Sequence, residues 1–130
     1  MNLAEITTGI QHIGVPTNNI EKTIEFYKSL GFEVALTTVN EAAGEQVAFL
    51  RLKNLVIETY QNGQAAGKPG AIDHIALNVT DIQTAFDIIR SGEYNMLNET
   101  IQFLPFWKNG VKFFTILGPN GEKVEFSQML

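Results

Sequence analysis

The chain contains only two histidines, His12 and His74, and they fall on one position of an internal repeat. Between residues 9–31, GIQHIGVPTNNIEKTIEFYKSLG, and residues 70–92, GAIDHIALNVTDIQTAFDIIRSG, a shift of 62 positions places Ile10 on Ile72, His12 on His74, Ile13 on Ile75, Ile20 on Ile82 and Ser29 on Ser91. Toward the end of each copy stands a glutamate in an apolar run, Glu58 in LVIETYQ and Glu125 in EKVEFSQ. Two imidazoles and two carboxylates make an N2O2 donor set. Such a set suits borderline divalent ions, Zn, Ni or Co, with Mn or Fe(II) also possible, and leaves positions open for substrate or water. A lone histidine on a strand is usually a half-buried structural residue, and a lone glutamate is usually solvated. The repetition of the pair is what points to one divalent ion per site.

Hydrophobic rhythm predicts how these residues are positioned. Residues 9–16 alternate as a strand, with Ile13 and Val15 on one face and Ile10, His12 and Gly14 on the other. Asn18 or Asn19 then offers an N-cap to a helix from about 20 to 30, with Ile20, Ile24, Tyr27 and Leu30 on one face and Gly31 just past its end. Strands are expected at 32–39, 46–52 and 55–61. The glycine-rich stretch 62–70 reads as a linker. The second copy repeats the order: a strand at 71–79, a helix capped by Thr80 or Asp81, a strand near 95–103, a strand at 111–117, a GPNG turn and a strand at 122–128. Matching Val47-Ala48-Phe49 to Val111-Lys112-Phe113 carries the duplication to the module ends. The prediction is an α+β fold of two pseudo-duplicated βαβββ modules, module 1 at about 9–61 and module 2 at about 71–128, within a single domain spanning 1–130. Parity puts Glu58 and Glu125 opposite the apolar residues of their strands, so one sheet face packs on helices and the other collects the histidines and glutamates.

Composition narrows the function classes. At 130 residues and 45% hydrophobic the chain suits one globular domain. A formal charge of −5 with nine scattered Lys and Arg opposes a nucleic-acid footprint. The absence of cysteine removes thiolate metal sites, disulfides and a cysteine nucleophile. No run approaches a membrane span or a secretory signal, so a cytoplasmic protein without membrane partners is expected.

QHIGVPTNNIEKTIEFYKSLGFEV, and FYKSLGF within it, resembles the opening of the vicinal oxygen chelate superfamily, and DHIALNVTDI and GPNGEKVEF resemble its later signatures. The resemblance covers residues 9–128. It implies paired βαβββ modules forming a half-open barrel sheet around a metal, with ligands on the first and last strand of each module, positions held here by His12, Glu58, His74 and Glu125. Bacterial glyoxalase I (lactoylglutathione lyase) enzymes use His, Glu, His and Glu in that order. Methylmalonyl-CoA epimerases usually carry Gln where Glu58 stands, ring-cleaving dioxygenases use three ligands, and bleomycin-binding drug-resistance members have lost the set. The resemblance therefore implies a metal-dependent lyase or isomerase, moving a proton through an enediolate of a 2-oxoaldehyde hemithioacetal, with Glu125 or Glu58 as base and glutathione or another thiol as the adduct. The alternatives are an epimerase-like or dioxygenase-like enzyme, or a non-catalytic small-molecule binding protein. The loop 37–46 contains no Arg or Lys, where glyoxalase I enzymes tend to place a basic residue toward the glutathione carboxylates. Phe103, Phe106 and Trp107 offer apolar walls for a small-molecule pocket. Exposed edges of half-open barrels favour a homodimer.

Overall fold

A computed structural model describes residues 2–130. They form a mixed α+β fold with two sheets, in two units that divide between Ala65 and Ala66. The first unit runs α1 (Leu3–Ile6), β1 (Ile13–Thr17), α2 (Ile20–Ser29), β2 (Glu33–Asn40), β3 (Glu45–Leu52) and β4 (Leu55–Gln61). Its sheet has the order β1-β4-β3-β2, with β1 parallel to β4 and the other pairs antiparallel. The second unit runs β5 (His74–Asn78), α3 (Ile82–Ser91), β6 (Asn95–Met96), β7 (Gln102–Leu104), β8 (Val111–Leu117) and β9 (Lys123–Met129). Its order is β5-β9-β8-β6, with β7 also on β8 and β5 parallel to β9. Each unit is thus a βαβββ module, with β6 and β7 sharing the place of one strand in the second.

The helices begin where the sequence chemistry permits. Asn19 Oδ1 accepts from the Lys22 amide at 3.1 Å, and Asp81 Oδ1 accepts from the Thr84 amide at 3.0 Å. A second tie is duplicated as well: the Ile20 amide donates to Gln61 Oε1 at 2.9 Å and the Ile82 amide to Gln128 Oε1 at 2.8 Å. Helix α2 ends with the Gly31 amide on Lys28 O and the Phe32 amide on Tyr27 O, with Gly31 at φ 103 where a side chain would be strained. The Asp81 carboxyl is held below its ordinary value of 3.8, first by the Thr84 amide and then by the Thr84 hydroxyl. A depressed carboxylate stabilises the fold above its ordinary range and loses that contribution as pH falls through the lowered value. Acid titration should therefore shift the Thr84 amide resonance below about pH 4 while leaving that of Lys22, capped by an uncharged amide, in place.

Alternation along the strands separates two faces. In the first module Ala48, Leu50, Ile57 and Thr59 are fully buried beneath α2, together with Tyr27 and Thr23. In the second, Phe114, Ile116 and Val124 are fully buried beneath α3, and Phe114 lies between Phe86, edge-on at 5.2 Å, and Phe126, stacked at 5.0 Å. Burying one such side chain is worth about 1.5–3 kcal/mol, so this face accounts for much of the stability.

Four details differ from the sequence reading. Strand β1 starts at Ile13, so His12 stands one residue ahead of it. Strand β5 starts at His74 rather than near 71. The single strand near 95–103 is two short strands, because Leu97 donates to Thr115 O and Asn98 Oδ1 accepts from the Thr115 amide, interrupting the ladder. The sheet pairs Phe49 with Glu58 but Thr115 with Glu125, so the counterpart of Phe49 is Thr115, two residues beyond the sequence match to Phe113.

Candidate metal centre

The β1–β4 ladder pairs Gly14 with Glu58, and His12 precedes Gly14 by two residues, so His12 and Glu58 rise from one face of the first sheet. Their contact is His12 Nε2 to Glu58 Oε1, 3.6 Å, with the side chains 33% and 28% exposed. The other ring nitrogen, Nδ1, is 3.0 Å from Gln11 Oε1. A carbonyl oxygen can only accept, so Nδ1 carries the proton, and in the neutral ring Nε2 presents a lone pair to the carboxylate. Phe49, opposite Glu58 on β3, lies edge-on to the imidazole at 5.8 Å.

The second module repeats this placement. His74 opens β5 and Glu125 pairs with Ala76, again two residues on and on the same face. His74 Nε2 is 4.0 Å from Glu125 Oε1, with the side chains 45% and 18% exposed. Here the Nδ1 proton goes to Asp73 Oδ2 at 2.9 Å, and Asp73 also takes the Lys123 ammonium at 3.1 Å. Both partners hold the Asp73 carboxyl below its ordinary value, the hydrogen bond from His74 most of all. An ionised Asp73 thus orients His74, where an uncharged Gln11 orients His12.

In each module an imidazole nitrogen and a carboxylate oxygen face each other, and both are donors that a borderline divalent ion accepts. Each module brings together two donors. Among the described residues no group of three or more His, Asp or Glu gathers as a set that could hold a metal ion.

The orienting residues Gln11 and Asp73 were not singled out by sequence reasoning, although their signal was available: each stands immediately before a histidine. The helix ties Gln61 and Gln128 likewise follow their glutamates at one spacing, in ETYQ and EFSQ. Of the expected pocket residues, Phe103 pairs with Lys112, in the row that continues to Gln128. Because Gln128 serves α3, this row belongs to the helix-facing side, away from Glu125. Phe106 and Trp107 lie exposed in the β7–β8 connection, Trp107 with φ 62. Apolar residues that share the face of Glu125 include Leu104, Val111, Phe113, Leu117 and Met129.

Two βαβββ modules, each with a histidine at or just before the start of its first strand and a glutamate on its last, define the fold class and the candidate ligands. The sequence profile of the Glyoxalase/Bleomycin resistance protein/Dioxygenase superfamily matches residues 9–126, and the chain belongs to this superfamily. It is 31% identical over 125 residues to the uncharacterized protein YwbC of Bacillus subtilis (strain 168), covering 92% of this chain and 96% of that one. Among solved structures, a glyoxalase family protein from Enterococcus faecalis superposes with a TM-score of 0.78 at 21% identity, covering 94% of this chain and 98% of the other. The fosfomycin resistance protein FosX from Listeria monocytogenes, solved with Mn(II) and a sulfate ion, gives 0.73 at 14% identity over 95% and 94%. These similarities establish a shared fold. No helix of the described residues is long and apolar enough to cross a membrane.

Proposed function

We propose that the chain is a metal-dependent lyase or isomerase of the glyoxalase I type, acting on a small substrate with two neighbouring oxygens such as the hemithioacetal of a 2-oxoaldehyde. The observation that carries this reading is the duplicated pair: His12 with Glu58 and His74 with Glu125, set two residues apart across a parallel ladder in both modules. Each pair supplies one imidazole and one carboxylate, half of the N2O2 donor set that this reading calls for. Zn, Ni or Co suits such donors. When bound, the ion polarises the substrate oxygens as a Lewis acid and makes the adjacent carbon-bound proton easier to remove. The chain supplies the base. Glu125, the less exposed of the two glutamates, takes the proton from one carbon and returns it to the next, with Glu58 as the second candidate.

Asp73 tests the orientation of His74 without being one of the proposed ligands itself. Asp73→Ala should weaken metal affinity about 10- to 100-fold in a competition titration against a chelator, and Asp73→Asn, which keeps an acceptor for the Nδ1 proton, should recover part of it. The proposed activity is tested by reconstituting metal-free protein with Ni, Co or Zn and following thioester formation from methylglyoxal with glutathione, then with other small thiols. A metallated protein that forms no thioester with any of them would overturn the glyoxalase I reading.

A further inference from the structure

Three basic residues lie within strands, Arg51, Lys112 and Lys123, and their faces differ. Lys112 shares the row of Phe103 and Gln128 on the helix-facing side. Lys123 is on the face of Glu125 but is bound to Asp73. Arg51 pairs with Val56, two residues before Glu58, and therefore shares the face of Glu58, Phe49 and His12. Its other cross-strand neighbour is Glu33 on β2. Among the described residues no hydrogen bond or ion pair engages the exposed Arg51 side chain, with Glu33 or any other group.

We propose that Arg51 is a specificity-determining residue that receives a carboxylate of the substrate. This rests on the proposed metal-dependent reading and adds the substrate class to it: small carboxylates whose anionic group is joined by a short chain to the two oxygens that meet the metal. On the sheet, Arg51 and Glu58 are diagonal cross-strand neighbours, roughly 7–8 Å apart at the backbone. The guanidinium of an unpaired arginine can therefore reach an anion held beside His12 and Glu58. Its planar fork matches a carboxylate in bidentate fashion, and its charge offsets an anion that the acidic donors would otherwise repel. Phe49 and Leu36, consecutive along the adjacent row of this face, offer apolar contact to the connecting chain.

The test uses nickel-loaded protein and a matched pair of chelating probes, neutral acetohydroxamate and anionic succinic monohydroxamate, compared by isothermal titration calorimetry. The wild type should bind the anionic probe about tenfold more tightly than the neutral one. Arg51→Gln should remove this preference while leaving the neutral probe unaffected, and Arg51→Lys should restore part of it. Equal binding of the two probes by the wild type, or a preference that survives in Arg51→Gln, overturns the role of Arg51 and leaves the metal reading standing. If the loaded protein binds neither probe, the metal reading fails and the inference falls with it.

Discussion

Alanine in place of His12, His74 or Glu125 is expected to strip the protein of its divalent ion, the largest effect foreseen for any single substitution. A borderline divalent ion is held by four bonds of comparable strength, and losing one removes both a bond and the geometry that the others depend on. Elemental analysis after reconstitution measures this directly, with about one ion per complete donor set in the wild type. The His12/His74 double substitution is the sharpest case, because the remaining carboxylates would favour hard ions only and bind them weakly. Full occupancy in that double variant would remove the basis of the proposed centre.

Glu125→Gln should reduce turnover by about 10²-fold or more while leaving the fold intact. The substitution keeps volume and an acceptor oxygen but removes the base, and positioned acid–base catalysis typically contributes a factor of that order. Glu125 sits in β9 between Val124 and Phe126, both buried in the helix-facing layer, so its backbone position is fixed by packing that glutamine would not disturb. Solvent-deuterium exchange at the substrate carbon separates base chemistry from binding. Loss of exchange with substrate still bound supports the assignment; undiminished exchange in Glu125→Gln would transfer the role to Glu58.

Much of this could be read from the amino-acid sequence because periodicity and capping speak plainly where the chain is amphipathic. Asn19, the apolar residues from Ile20 to Tyr27 and Gly31 marked α2 to within a residue, and the doubled His and Glu marked the candidate donors. Strand starts were less legible. Residues 9 and 10 alternate like a strand, but in the parallel register they would fall opposite Lys53 and Asn54 of the β3–β4 turn, and the ladder begins only at Ile13 with Ile57. Near residue 98 the ladder is broken by an asparagine side chain replacing a backbone partner, an event that depends on a distant strand. The unpaired face of Arg51 was equally invisible before the pairing of β3 with β4 was known. Of the buried threonines of the first module, Thr17 bonds to Thr23 at 2.9 Å and accepts from the Asn19 amide at 3.0 Å, whereas the Thr59 hydroxyl has no partner among the described residues and nothing in the structure explains its choice over valine.

Gln61 and Gln128 each hold a helix start from three residues beyond a candidate ligand on the same strand. Sliding β4 by one position would withdraw Gln61 from the Ile20 amide and, in the same movement, turn Glu58 into the apolar layer beneath α2. Misalignment is thus penalised twice, once at the helix and once by desolvation of a carboxylate. The helix acts as a frame-keeper for the donor. Because that correction is written entirely within about fifty residues, a copied module carries its own means of aiming its glutamate, so gene duplication could double the donors without first having to evolve their alignment.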